Sequence, residues 1–102
     1  MNMQSIGEFK ESLTNLKPPA DLSIYGQALW WAGKGNWAKS HALVQGLTDQ
    51  AGSLIHAYLH RREGDLSNAQ YWYSKANTKM PTNELNKEWE DLVVQFFKLI
   101  PK

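Results

Sequence analysis

His56-Ala-Tyr-Leu-His60-Arg-Arg-Glu-Gly64-Asp-Leu-Ser-Asn-Ala-Gln-Tyr-Trp-Tyr73-Ser-Lys-Ala76, closed by Met80-Pro81, decides how this chain folds. Glu63-Gly64-Asp65 divides the stretch into two helices that turn back on each other. Gly64 takes a left-handed backbone at no steric cost, so it ends the first helix, and Arg61 and Arg62 just before it suit that helix's negative end. Beyond the turn, Leu66, Ala69, Tyr73 and Ala76 recur at helical spacing with Trp72 beside them. One face of the second helix is therefore apolar. This helix is expected to run from Ser67 to about Lys79, where Pro81 forbids continuation.

The same grammar extends outward. The helix that ends at Glu63 is capped by Thr48 or Asp49 and buries Leu54, Ile55, Tyr58 and Leu59. Before it, Trp37 to Leu47 forms a helix with Trp37, His41, Val44 and Leu47 on one side. Asp21 is a suitable cap for a further helix reaching about Lys34. That helix is apolar on most of its circumference, with Leu22, Ile24, Tyr25, Ala28, Leu29 and Trp30, so it is sandwiched between neighbours. Gly33-Lys34-Gly35-Asn36 breaks it, and its glycine spacing is not that of a phosphate-binding loop. At the start, Ser5-Ile-Gly-Glu8 fits a capping box. The first helix carries Ile6, Phe9, Leu13 and Leu16 as one stripe and runs to Lys17, since Pro18-Pro19 cannot continue it. Downstream, Thr82 or Asn83 caps a long last helix. Its ladder of Leu85, Trp89, Leu92, Val93, Phe96, Phe97 and Ile100 is the cleanest amphipathic pattern in the chain. No segment reads as a strand, so the fold class is all-α with about six helices.

Laying Gly35 on Gly64, 29 positions on (64 − 35), also lays Ala28 on Ala57, Asn36 on Asp65 and Trp37 on Leu66. A period near 30 residues marks stacked helical hairpins, in which each hairpin covers the apolar faces its neighbour cannot cover alone. Gly64-Asp65, then Ala69, Tyr73, Ala76 and Pro81, resembles the small, aromatic, small and proline positions of a tetratricopeptide repeat. In the first hairpin Ala28 and Gly35 fit the same pattern, Ser40 and Val44 stand at its small and aromatic positions, and Gly52 replaces the proline. The resemblance implies one tetratricopeptide-like domain over residues 1–102. Its repeats lie at about 21–49 and 50–81, with capping helices at about 5–17 and 83–100. Gly35-Asn-Trp-Ala-Lys-Ser-His41, His56-Ala-Tyr-Leu-His-Arg-Arg-Glu-Gly-Asp65 and Asn68-Ala-Gln-Tyr-Trp-Tyr73 also resemble a group of short, uncharacterised bacterial proteins over the middle two thirds of the chain, a resemblance that implies no activity.

A chain of 102 residues with 42% hydrophobic content suffices for one domain with a real core. Five Trp, four Tyr and three Phe allow that core to be built from few large rings. Net charge is +1, from 11 basic and 10 acidic residues without runs of either sign, so neither nucleic acid nor an anionic membrane is an expected partner. Without cysteine there is no disulfide frame and no thiolate metal site. Met1 to Glu8 lacks the blocks of a signal peptide, and no apolar run approaches ~20 residues, so a cytoplasmic location is expected.

No nucleophile elbow or Cys-His set is present, and the expectation is a non-catalytic module without a cofactor. In stacked hairpins the first helix of each pair lines the concave face. The 29-residue offset there pairs Tyr25 with Leu54, Leu29 with Tyr58, Ala32 with Arg61 and Gly33 with Arg62. Tyr25, Leu29, Tyr58, Arg61 and Arg62 thus form an expected groove for a protein or peptide, acidic or carboxylate-bearing, since arginine binds carboxylate bidentately. The alternative is a metal-dependent enzyme or metal-binding protein built on His41, His56 and His60. His56 and His60 are four apart, which places two imidazoles on one helical face. Ala57-Tyr58-Leu59 between them supplies no glutamate base of the zinc-protease kind, and both positions also suit packing inside the hairpin. Glu63 reads as solvated, Asp65 as the cap of the next helix, and at least two of Tyr71-Trp72-Tyr73 as core.

Overall fold

Local signals build six helices in the computed structural model, which describes residues 5–96. They are α1 (Ile6–Ser12), α2 (Ile24–Gly33), α3 (Trp37–Val44), α4 (Gln50–Arg62), α5 (Leu66–Lys75) and α6 (Leu85–Phe96). No strand occurs among the described residues, so the fold is all-α. No helix among them is long and apolar enough to cross a membrane.

Five helices open on a side-chain cap. Ser5, Ser23, Asn36, Asp49 and Asp65 each accept the backbone N–H of the residue three positions on, satisfying a donor the helix leaves free. Gly35 and Gly64 are left-handed, with φ of 82° and 88°. At both turns the glycine N–H and the next N–H bond back in the same pattern: Gly35 to Ala32 and Asn36 to Trp31, Gly64 to Arg61 and Asp65 to His60. These are paired Schellman closures, 29 residues apart.

Several helix ends differ from the sequence expectation. The second helix is capped by Ser23, not Asp21, and Asp21 lies in the preceding turn. The first helix stops at Ser12 rather than Lys17, as the Ser12 hydroxyl donates to the Phe9 carbonyl and a run of tight turns follows. Leu16 leaves the stripe and is 88% exposed. The fifth helix stops before Pro81 can act, because Asn77 takes a positive φ of 60° and Thr78 N–H closes onto the Tyr73 carbonyl. Phe97 and Ile100 of the last stripe lie outside the described residues.

Helices α2 and α3 form one hairpin and α4 and α5 a second, with α3 and α2 both alongside α4. The main core joins Phe9, Leu29, Trp30, Val44, Ile55 and Leu59 to Val93 of α6. A smaller cluster of Ala57, Ala69 and Tyr73 seals the second hairpin. Helix α6 does not extend the stack; it folds back across α2 and α4, and α1 packs on it. The Trp89 indole N–H donates to the Leu29 carbonyl at 2.8 Å, tying α6 to α2.

Candidate functional site

Two faces of this fold carry the residues singled out in the sequence. The first is the expected groove on α2 and α4, which α6 covers. Leu29 and Tyr58 are 0% and 1% exposed. Tyr25 donates its hydroxyl proton to Asp49 and lies against Phe96 at 6.2 Å. Arg61 donates to Glu88 of α6 at 2.7 Å and to the Asn83 carbonyl. Arg62 donates to the Ala32 carbonyl at 2.9 Å and to the Tyr58 hydroxyl at 3.1 Å. Gly33, paired with Arg62 by the repeat offset, faces Trp89: an added Cβ would meet that ring at 2.8 Å and Leu13 at 3.1 Å. Leu29 and Tyr58 are buried and Arg61 is engaged by α6, so the five residues do not line one continuous groove, while Arg62 stays exposed at a cavity it shares with Gly33 and Trp89.

The second face is the joint between the hairpins on the opposite side of α4. Here α3 supplies Trp37 and His41, α4 supplies His56 and His60, and α5 supplies Trp72. Four-residue spacing puts each pair on one helical face. Trp37 stacks on His41, with centroids 4.5 Å apart and planes 11° from parallel. Trp72 stacks on His56 at 4.0 Å and 23°. Between the indoles the imidazoles meet edge to face, His41 on His56 at 4.7 Å and on His60 at 5.4 Å. The Trp37 indole N–H donates to the Leu59 carbonyl at 2.7 Å, which anchors one wall.

One nitrogen from each of the three histidines lies within 4.8 Å of the others. His41 Nε2 and His56 Nε2 are 3.1 Å apart. With zinc–nitrogen bonds near 2.0–2.1 Å, tetrahedral ligands stand about 3.3 Å from one another. The His41–His56 pair, 3.1 Å apart, is close to that spacing. His60 Nδ1 lies 2.6 Å from the Glu63 carboxylate. A carboxylate oxygen accepts there, so His60 Nδ1 carries a proton and Glu63 fixes the orientation of the ring. Glu63, expected to be merely solvated, is thus the residue the sequence reading missed; its position three after His60 is the signal that could have found it. Asp65 caps α5 as expected, and of the aromatic triplet Tyr73 is buried, Trp72 half-buried and Tyr71 exposed.

Burial, with His41 and His60 close by, pushes the His56 pKa down to about 4. The His41 pKa is lowered as well, by burial first and His60 second. Both rings are neutral at pH 7, the state a metal ligand requires. In the metal-free protein the consequence for stability has a definite sign. The unfolded chain protonates His56 near pH 6.5 and the folded one only near 4. The stability held by neutral His56 is complete above about pH 6.5 and is lost progressively as pH falls towards 4, to a total of order 3 kcal/mol. Urea denaturation with chelator present, repeated between pH 7.5 and 4, should show this slope, and His56→Gln should flatten it.

Among the described residues, two buried side-chain polar atoms have no hydrogen-bond partner: Ser53 Oγ and His56 Nδ1. Each such group costs about 1–3 kcal/mol where it stays unpaired. Both belong to α4, three positions apart.

No family model, no curated protein and no solved structure matches this chain.

Proposed function

We propose that this protein binds one divalent transition-metal ion through His41, His56 and His60. The observation that carries this reading is the convergence of three imidazole nitrogens within 4.8 Å, one from α3 and two from α4. A three-nitrogen set suits zinc, copper, nickel, cobalt or ferrous iron and disfavours magnesium or calcium. The Glu63 contact to His60 is the outer support that metal-ligating histidines use to fix their tautomer and raise their basicity. Because His41 belongs to the first hairpin and the other two to the second, a bound ion cross-braces the joint between them. Glu63 is committed to His60, so the geometry favours a binding or bracing role over hydrolysis. In this reading the tetratricopeptide-like hairpins serve as a scaffold for the ion. Protein or peptide binding on the concave face has less support, since α6 engages that face.

Metal analysis of protein purified without an affinity tag, followed by cobalt titration, tests the proposal. One ion per chain is expected, and His56→Ala or His60→Ala should weaken binding by about 100-fold or more. Zinc at a hundred times its dissociation constant should stabilise the fold by about 2.7 kcal/mol. Wild-type protein that takes up neither zinc nor cobalt at micromolar concentration would overturn the reading.

A further inference from the structure

We infer that Ser53 is the positioning residue for His56 in the metal-bound site, its hydroxyl oxygen accepting the Nδ1 proton. The inference rests on the metal reading above and asks what that reading requires of His56. An ion bound at His56 Nε2 leaves the ring's proton on Nδ1, and a ligating histidine donates that proton to an acceptor. His56 is only 4% exposed, so water does not supply one freely. Trp72 covers one face of the ring, and Nδ1 has no partner in the structure.

The second unpartnered buried atom stands where an acceptor is needed. Helical side chains lean towards the N-terminus, which directs a side chain at position 56 over the turn that holds Gly52 and Ser53. Ser53 is 0% exposed, and its hydroxyl is not bonded to any group of the described chain. A serine hydroxyl offers one proton and two lone pairs. It accepts from His56 Nδ1 through one lone pair and donates its own proton to the carbonyl four residues back, that of Asp49, as mid-helix serines do. With an ion on Nε2 the His56 proton is fixed on Nδ1, and in this arrangement both orphaned atoms gain a partner.

The effects of Ser53→Ala on stability and on affinity are therefore expected to separate. The metal-free variant loses a hydroxyl that bonds to nothing, so its urea midpoint, with chelator present, should equal or exceed that of the wild type. Cobalt affinity should fall by about 10- to 100-fold, the cost of removing an outer-shell partner, and the visible cobalt spectrum should shift. Ser53→Thr, which keeps the hydroxyl, should restore both affinity and spectrum. Wild-type cobalt affinity and spectrum in Ser53→Ala would overturn the role of Ser53 while leaving the metal site intact. A metal-free Ser53→Ala protein with a clearly lower midpoint would also overturn it, by showing that the hydroxyl holds the fold. Wild-type protein that binds no cobalt would remove the metal site itself, and this role with it.

Discussion

Replacing Glu88 with alanine is expected to lower the unfolding free energy by about 3–5 kcal/mol, the cost of breaking a buried ion pair from one side. Glu88 is 5% exposed on α6, and both its oxygens are engaged. Oε1 accepts from Arg61 at 2.7 Å and Oε2 from the Tyr73 hydroxyl at 2.5 Å. The Arg61 side chain is itself only 13% exposed. Truncating Glu88 strips a guanidinium and a phenol of their shared acceptor in a desolvated joint between α4, α5 and α6. Burial and the Glu88 contact also raise the Tyr73 pKa, so the phenol stays protonated and donating. Urea denaturation measures the effect as a shift in midpoint at constant slope. Lys87→Ala is the control: its partner Asp91 is 3.2 Å away with both side chains more than half exposed, and a change within about 0.5 kcal/mol is expected. A loss below about 1 kcal/mol for Glu88→Ala would show that the triad is not what holds α6 on the stack.

Phe96→Ala should cost a comparable amount, about 3–5 kcal/mol, because the ring closes the far end of the main core. It is 5% exposed and lies over Tyr25 with planes 40° apart. Truncation opens a cavity between α6 and α2 and strips one face from Tyr25, whose hydroxyl is tied to the Asp49 cap of α4. Thermal and urea unfolding should agree on the loss. Val94→Ala, two residues earlier and 45% exposed, should change little. A near-neutral Phe96→Ala would place the α6 stripe outside the core.

The elements legible in the sequence are those fixed within a few residues of themselves. Gly35 and Gly64 end helices because a left-handed backbone is cheap only without a Cβ, and both have positive φ. Asp49 caps α4 because its carboxylate reaches an N–H three residues on, a contact no distant packing has to supply. The His56–His60 pairing was legible for the same reason, since helical pitch alone puts them on one face. Even here local competition moved boundaries: the Ser12 back-bond ended α1, and Asn77 closed α5 before Pro81 was reached.

What the sequence left open are contacts between residues far apart along it. Amphipathic spacing says that α6 must bury Leu92 and Val93, but not against which neighbour, because one apolar stripe fits any other. Only the folded chain seats α6 across α2 and α4. There Trp89 fills the room beside Gly33, and Glu88 neutralises an arginine 27 positions away. Tertiary structure likewise brings His41 onto α4 and Trp72 onto His56, through the packing of α3 and α5 on either side of that helix. The sequence determined by itself the helices, their turns and the shared face of His56 and His60, and it named His41 as a candidate beside them. The convergence of His41 on that pair, the aromatic walls around it and the covering of the concave face were decided by packing, since side-chain periodicity carries no information about which surfaces meet.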